Sequence, residues 1–198
     1  MYPFIETIRI ESGKIWNLPY HQQCLNRAMA HFWPEAPIVD LETVLKDAPL
    51  TEEETKARVV YDKDGLKDVS YAAYHPLNIH SLQLVTCDDI DYKYKSADRS
   101  QLQKLKEQRS DCDEIIIVKD GLLTDTSYSN IALFDGKHWY TPKHPLLKGT
   151  MRQSLIDQGL LIEKDLRPND IQNFQKVSLI NAMMPLGFLE VNTDKISL

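Results

Sequence analysis

The stretch GLLTDTSYSNIALFDGKHWYTP, from Gly121 to Pro142, has the outline of a β-hairpin. Apolar residues lead to the Asp-Gly turn at 135–136, a favoured hairpin connection, and an aromatic strand returns from it. The segment TDTSYSN (124–130) interrupts the first strand with hydroxyls, one carboxylate and one amide. Two interpretations fit this pattern: a strand with spare polar residues, or the polar floor of a functional site around Asp125 and Asn130.

The segments on either side of this hairpin indicate that the second half of the chain is rich in strands. The sequence predicts strands over EIIIV (114–118), LIEKDL, VSLINAM and FLEVN, a helix from about Met151 to Gly159, and a short helix starting near Pro168. Gly149 and Thr150 stand directly before the longer helix. Because a helix N-terminus presents unsatisfied N–H groups, this start is a candidate anion site.

The first half of the chain alternates strands and helices. Residues 2–10 alternate as a strand does, and a turn at Ser12-Gly13 leads to an antiparallel return over KIWNL. A hairpin around Asp64-Gly65 and a strand over SLQLVTC follow later. Apolar residues at helical spacing predict an amphipathic helix that stops at Pro34; they are Leu25, Ala28, Met29, Phe32 and Trp33. His21 is predicted to lie just ahead of this helix in a capping or packing role.

The character of the chain changes after Tyr92. The segment YKYKSADRSQLQKLKEQR is polar and predicts a surface helix, with Asp98 as its N-cap and Gln101 completing a capping box. We therefore predict a smaller N-terminal α/β domain over 1–88, a linker over 89–94 and a larger C-terminal domain over 95–198.

Composition narrows the class of protein. An apolar fraction of 42% in 198 residues is enough for a core, and a net charge of −6 from well-mixed residues argues against a nucleic-acid face. Three widely spaced cysteines suggest reduced thiols and no metal site. Neither a signal peptide nor an apolar run of about 18 residues is evident, so no membrane association and a cytoplasmic location are expected.

Common catalytic motifs are missing from the sequence: GxGxxG, the Walker loop, HExxH and GxSxG do not occur. What remains is Lys95 with Arg99 four residues on, the carboxylate Asp125, the helix start at 149–150, and an Asn-Ala step at 181–182. A lysine, a carboxylate and a helix N-terminus are the parts that hold pyridoxal 5′-phosphate (PLP). Lys93 and Lys148 are alternative lysines. Lys95 is preferred because only it has Asp98 at +3 and Arg99 at +4.

Six segments, in order, resemble the class IV aminotransferase family over about 185 residues. They are FIETIRIESGKI, LPYHQQCLNRA, KSADRSQ, DEIIIVKDGLLTDTSYSNIALFDGKHWYTP, LLKGTMRQSLI and INAMMPLGFLEV. The family includes branched-chain aminotransferase, D-amino acid aminotransferase and 4-amino-4-deoxychorismate lyase. The resemblance implies a two-domain α/β (α+β) fold of the D-amino acid aminotransferase type, shortened at the N-terminus, with PLP bound by the larger domain.

The resemblance also assigns roles by position. Lys95 falls on the lysine that forms the Schiff base with the cofactor and serves as the catalytic base. The other cofactor-binding positions implied are Arg99, Asp125 on the pyridine-nitrogen acid, Gly149 and Thr150 at the phosphate, and Asn181 with Ala182 at a second turn. Arg9 and Arg58 fall on the substrate side. Cys24 replaces a phosphate-binding arginine of the family, and Arg27, one helical turn on, is predicted to take its place.

The resemblance implies a small-molecule amino substrate and a homodimer. The lyase branch is favoured, which would place the protein in folate biosynthesis: pyruvate is eliminated from aminodeoxychorismate and 4-aminobenzoate remains. One alternative is an amino acid aminotransferase for branched-chain or D-amino acids. Another is a catalytically impaired relative that acts as a binding protein.

Overall fold

The structure, a computed structural model, describes residues 2–49 and 52–197 and has a mixed α/β fold with three sheets and few helices. Its strands are β1 (Phe4–Glu11), β2 (Lys14–Ile15), β3 (Thr55–Asp62), β4 (Gly65–Ala73), β5 (Leu82–Thr86), β6 (Glu114–Lys119), β7 (Leu122–Leu123), β8 (Asn130–Phe134), β9 (Trp139–Pro142), β10 (Ile162–Lys164), β11 (Lys176–Ile180), β12 (Glu190–Asn192) and β13 (Ile196–Ser197). Its α-helices are α1 (Leu18–Phe32), α2 (Leu41–Val44), α3 (Ser100–Lys106) and α4 (Thr150–Asp157). The predicted α/β class is confirmed.

The chain divides into two compact units. The first is Met1–His75 with Tyr94–Asp98, and the second is Pro76–Lys93 with Arg99–Leu198. The segment that carries Lys95 therefore belongs to the first unit. The domain limits 1–88, 89–94 and 95–198 stay a prediction, and their outer ends, Met1 and Leu198, lie outside the described residues.

The first unit is an antiparallel sheet covered by helices. Its strand order is β2-β1-β3-β4. The antiparallel pairing of β1 with β3 runs from Phe4 opposite Tyr61 to Ile10 opposite Thr55. Alternate residues of β1 and β3 turn to one side and pack with α1 and α2. The buried cluster there includes Phe4, Ile8, Ile10, Leu25, Ala28, Leu41, Val59 and Tyr61. The period-2 pattern of β1 and the helical pattern of α1 meet in this core.

Helix α1 starts earlier than its apolar pattern predicts. It begins at Leu18, after Asn17 in a left-handed conformation with φ 55°, and Pro19 occupies its first turn, where a missing N–H costs nothing. His21 is thus inside the helix and buried, so the prediction that it precedes the helix is wrong. The apolar period marked only the part of α1 that faces the core.

The second unit holds two sheets. One has the order β10-β9-β8-β11-β12, and the other β13-β5-β6-β7 with β5 and β6 parallel. The predicted hairpin is β8 and β9, which pair antiparallel on either side of the Asp-Gly turn. Strand β6 is buried along almost its whole length, as expected for a strand covered on both faces.

Helix α3 does not have the predicted cap. Arg99, not Asp98, is its N-cap residue, and the Arg99 side chain forms no capping hydrogen bond. The backbone N–H of Asp98 instead donates to Ser96 Oγ at 3.1 Å, in a local turn within the first unit. The capping box predicted for Asp98 and Gln101 is therefore wrong, because the helix starts one residue later than the pattern suggests.

Candidate active site

The polar segment 124–130 folds into a tight turn in which Thr126 bonds to Tyr128 and Ser129. Thr126 N donates to Ser129 O at 2.8 Å, and Thr126 Oγ1 accepts from the backbone amides of Tyr128 and Ser129. Asp125 and Asn130 face each other as an isolated antiparallel bridge. The hydroxyls thus replace the ladder hydrogen bonds that a continuous strand would have made. They shape a turn at whose base Asp125 and Asn130 meet.

A second set of polar groups holds this turn at Ser127. Its backbone N–H and hydroxyl donate to the carboxylate of Glu114, which is fully buried, at 3.3 and 3.0 Å. The same carboxylate accepts from Lys106 Nζ at 2.7 Å. Arg99 Nη2 donates to Ser127 O at 2.6 Å. Arg99 is therefore placed against the turn itself.

Asp125 is buried, and both oxygens of its carboxylate have protein donors. Oδ1 accepts from Asn130 Nδ2 and Oδ2 from Leu147 N, each at 2.8 Å. Both donors are neutral. Asp125 forms no ion pair with another described residue. The structure therefore places a buried carboxylate here without a cation in direct contact.

Burial raises the pKa of Asp125 to about 6, although the hydrogen bonds from Leu147 and Asn130 and the charge of Arg152 oppose the rise. Arg152 is itself buried, and its Nη2 donates to Pro142 O at 2.8 Å and to Glu163 Oε1 at 2.6 Å. Its guanidinium thus acts on Asp125 through space. At neutral pH the Asp125 carboxylate is mostly ionised, in an environment that favours its neutral form.

The unfolding free energy of the protein without added cofactor is expected to fall as pH rises from about 4 to about 7, on account of Asp125. An aspartate in an unfolded chain titrates near 3.9, so within this window the folded state keeps a proton that the unfolded state has lost. A shift of roughly two pKa units corresponds to ~3 kcal/mol. This stabilisation is present below about pH 4 and is lost as pH rises through about 6.

The measurement is urea unfolding of the wild type and Asp125→Asn across this pH range. The difference between their unfolding free energies should change by ~3 kcal/mol between the two ends. A difference that stays constant with pH would contradict the assignment.

The start of α4 lies next to this carboxylate. Gly149 is its N-cap residue and has no side chain with which to cap the helix, and no acidic residue stands in its first turn. Gly149 approaches Asn130 so closely that a Cβ on it would lie 2.1 Å from Asn130 Oδ1. The structure therefore brings Asp125, Asn130, Gly149 and Thr150 together, with an anion-attracting helix end beside the acid.

The second predicted turn is closed by Asn181. Its Oδ1 accepts from the backbone amides of Met183 and Met184 at 2.9 and 3.1 Å, and its Nδ2 lies 3.5 Å from Tyr128 O. Ala182, within this turn, is buried. The turn thus touches the same polar segment as Arg99 and α4 do.

Within the first unit, the segment around Lys95 is fixed to β1. Ile5 N donates to Lys95 O at 2.9 Å, and Ala97 N donates to Pro3 O at 2.8 Å. Lys95 is half-buried, whereas Lys93 and Lys148, the other two candidate lysines, are exposed. Backbone hydrogen bonds therefore hold the segment of Lys95 in a defined position beside β1.

Arg27 lies beside Cys24 on α1. Its Nη2 contacts Cys24 Sγ at 3.1 Å, so the guanidinium leans toward Cys24. Burial and the carboxylate of Glu6 raise the pKa of the Cys24 thiol, against the opposing charges of Arg27 and Lys95. Cys24 is thus a neutral thiol, and Arg27 supplies a positive charge beside it on α1.

Glu6 is a buried carboxylate in the first unit that was not among the predicted site residues. It is buried on β1, and its Oε2 lies 2.6 Å from His21 Nδ1, which is also buried. The signal lay in the sequence as a single carboxylate among the apolar, inward-facing positions of β1. Because a buried carboxylate requires a polar partner, His21 in the following helix was a candidate for that role.

The two arginines predicted on the substrate side lie on neighbouring strands of the first unit. Thr7 on β1 pairs with Arg58 on β3, and Arg9 pairs with Lys56. Arg9 forms ion pairs with Glu11 at 2.5 Å and with Glu54 at 3.2 Å. Arg58 is half-buried and forms neither an ion pair nor a hydrogen bond through its side chain with the described residues. Of the two, Arg58 has the uncommitted guanidinium.

Across residues 2–49 and 52–197, no group of three or more His, Cys, Asp or Glu side chains could hold a metal ion. The helices of this same part of the chain are too short or too polar for any of them to cross a membrane.

Comparison with known proteins points to one family. The sequence model described as "Amino-transferase class IV" matches residues 4–189. A Haemophilus influenzae protein, named only "Uncharacterized protein", is 38% identical over 186 residues, 92% of this chain and 98% of that protein. A solved structure of a "putative 4-amino-4-deoxychorismate lyase" from Haemophilus somnus 129pt has a TM-score of 0.88 at 33% identity, covering 94% of this chain and 98% of that one.

The fold is also shared with more distant structures. The PLP-bound form of "a hypothetical aminotransferase from Mycobacterium tuberculosis" has a TM-score of 0.77 at 18% identity, covering 98% of this chain and 81% of that one. At this identity the likeness shows the fold alone. The family model covers nearly the whole sequence, which confirms the resemblance seen in its motifs. The chain belongs to the class IV aminotransferase family.

Proposed function

We propose that this protein is a PLP-dependent lyase that releases pyruvate from 4-amino-4-deoxychorismate and leaves 4-aminobenzoate. The choice of a lyase is supported by the Haemophilus somnus structure of that name, which is 33% identical over 94% of this chain. The observation that carries the proposed cofactor is the buried, cation-free carboxylate of Asp125 beside the N-terminus of α4.

The residues of this site fit PLP on two counts. A buried ionised carboxylate is costly unless a positive charge pairs with it, and the direct donors to Asp125 are both neutral. A protonated pyridine nitrogen is a cation of suitable size. The start of α4, with glycine as its N-cap residue and no acidic residue in its first turn, suits a dianionic phosphate.

Lys95 is the residue proposed to bond to the cofactor aldehyde and to move a proton at the substrate Cα. When bound, PLP supplies an electron sink for the carbanion that this proton transfer creates. Asp125 would keep the pyridine nitrogen of the bound cofactor protonated, and Arg99, Asn181 and Ala182 would hold the polar turn that carries Asp125. Arg27 adds positive charge near the phosphate, in place of the family's arginine. Arg9 and Arg58 are proposed to face the carboxylates of the substrate.

The experiment that tests this function separates a lyase from an aminotransferase. The protein, loaded with PLP, is incubated with aminodeoxychorismate and no added keto acid. The proposal predicts pyruvate and 4-aminobenzoate in equal amounts. Amino-group transfer that requires an added keto acid would show an aminotransferase instead. A protein that takes up no PLP and produces neither would show the binding-protein alternative.

A homodimer, a cytoplasmic location and a place in folate biosynthesis are further parts of this proposal, and each rests on the family. Sedimentation of the purified protein is expected to give twice the mass of the chain. A monomer would contradict that part of the proposal without bearing on the reaction.

A further inference from the structure

Asn130 is at the centre of the polar groups around Asp125. It is 5% exposed, and its Nδ2 donates both to Asp125 Oδ1 and to Leu147 O, each at 2.8 Å. Leu147 N donates in turn to Asp125 Oδ2 at 2.8 Å. These three hydrogen bonds close a ring between the polar turn and the chain that enters α4. Both amide hydrogens of Asn130 are used in it.

Glycine at position 149 is required by lack of space and not by backbone conformation. Its φ of −67° and ψ of 148° are extended values that any residue adopts, so its backbone conformation does not require glycine. A Cβ on residue 149 would nevertheless lie 2.1 Å from Asn130 Oδ1 and 3.3 Å from Asn130 Cγ. The side chain that excludes every larger residue from position 149 is therefore Asn130.

We propose that Asn130 is the positioning residue that joins Asp125 to the start of α4, and that its side chain is the reason residue 149 is glycine. The part of this inference that concerns the cofactor rests on the proposed function. One amide side chain thereby fixes the distance between the acid for the pyridine nitrogen and the helix end for the phosphate.

The direction of the effect follows from the donors. Asn130 and Leu147 both stabilise the ionised form of Asp125, and so does the charge of Arg152 from farther away. Removal of the Asn130 amide leaves Asp125 with one direct side-chain or backbone donor fewer. Its carboxyl should then titrate at higher pH and pair less well with a cation at neutral pH.

The test is a double-mutant cycle with the full-length wild type, Asn130→Ala, Gly149→Ala and the double variant. The dissociation constant for PLP and the urea midpoint of unfolding are measured for all four proteins. Gly149→Ala alone should weaken PLP binding roughly 10- to 100-fold and lower the midpoint, because its Cβ displaces Asn130. In the Asn130→Ala background, Gly149→Ala should raise the dissociation constant for PLP by less than about threefold, because the Asn130 side chain that clashes with the new Cβ is absent.

The PLP dissociation constant and the urea midpoint together distinguish failure of this inference from failure of the proposed function. Effects that multiply in the double variant, on PLP affinity and on the urea midpoint alike, would show that Gly149 is required for another reason and would overturn the inference. If the wild type takes up no PLP, the proposed function fails, and the midpoints alone decide the inference. If Asn130→Ala does not fold, Asn130→Ser takes its place in the cycle, because a serine Oγ would lie near the present Cγ.

A third readout distinguishes positioning from a general loss of structure. Carboxyl ¹³C NMR of the protein without cofactor follows the titration of Asp125. Asn130→Ala should raise its pKa by about one unit. The matched control is Thr141→Val, which removes a buried hydrogen bond of 2.8 Å to Ile131 O in the same sheet. The control should lower the urea midpoint and leave the titration unchanged. An equal shift in both variants, or none in Asn130→Ala, would contradict the inference.

Discussion

Replacing Lys95 by alanine is expected to lower kcat/KM for pyruvate release at least about 10⁴-fold. A positioned general base contributes roughly 10²–10⁴ in rate, and the variant loses the covalent bond to the cofactor as well. The measurement is the initial rate of pyruvate release from aminodeoxychorismate at saturating PLP. Free amines added to the assay would restore part of the rate if the missing group is a base.

Lys93→Ala is the matched control for this prediction. Lys93 is exposed and stands two residues earlier in the chain, and its change should alter kcat/KM less than about twofold. The backbones of the two lysines have different partners: Lys93 N donates to Asp91 Oδ1 at 3.2 Å, whereas Lys95 O accepts from Ile5 N on β1 at 2.9 Å. A Lys95→Ala protein within tenfold of the wild type would show that the catalytic lysine is another residue.

Asp125→Asn is expected to lower kcat/KM about 10²- to 10³-fold, with little change in the fold of the second unit. The amide is nearly the same size as the carboxylate but cannot balance the charge of a protonated pyridine nitrogen, and that loss falls on the transition state. The effect should appear mainly in kcat at saturating PLP, together with a weaker dissociation constant for PLP.

Asp135→Asn serves as its control on the same hairpin. Asp135 accepts from Lys137 N and His138 N at 2.8 and 2.7 Å in the exposed turn between β8 and β9. Its change should cost a small amount of stability and leave kcat/KM within about twofold. If the two variants lose activity equally, the effect of Asp125 is structural and its proposed charge pairing is wrong.

The sequence predicted the parts of the fold that depend on local pattern. The hairpin of β8 and β9 followed from the Asp-Gly turn, and the buried face of α1 followed from its apolar spacing. The helix ends could not be predicted in the same way. Asn17 begins α1 from a left-handed conformation, and α3 begins at Ser100 without a side-chain cap. At both helix starts, local turns set the first residue of the helix, and the capping pattern of the sequence did not.

The candidate site shows the same division. The sequence singled out Asp125, but its donor Leu147 is 22 residues away, and a backbone N–H leaves no mark in a sequence. The same limit applies to Ser127 and Glu114, and to Glu6 and His21, which are 15 residues apart. Such pairs are brought together by the packing of separate elements, which no motif encodes. Only the spacing within one segment, as between Asp125 and Asn130, could be interpreted directly.

The short side chain of Asp125 keeps its carboxylate near the main chain of its own segment. Its carboxylate stays close to the backbone of the polar turn, where Leu147 N and Asn130 reach it. The start of α4 approaches with them, because Leu147 is two residues before Gly149. Whether this arrangement leaves the cofactor in reach is tested most directly on the cofactor itself.

The decisive measurement is the site of covalent attachment of PLP. The purified protein is incubated with PLP, reduced with borohydride, digested and mapped by mass spectrometry. The proposal predicts a yellow protein before reduction and one pyridoxyl label per chain, on Lys95. A colourless protein that acquires no label, or a label on Lys93 or Lys148 in place of Lys95, would contradict it.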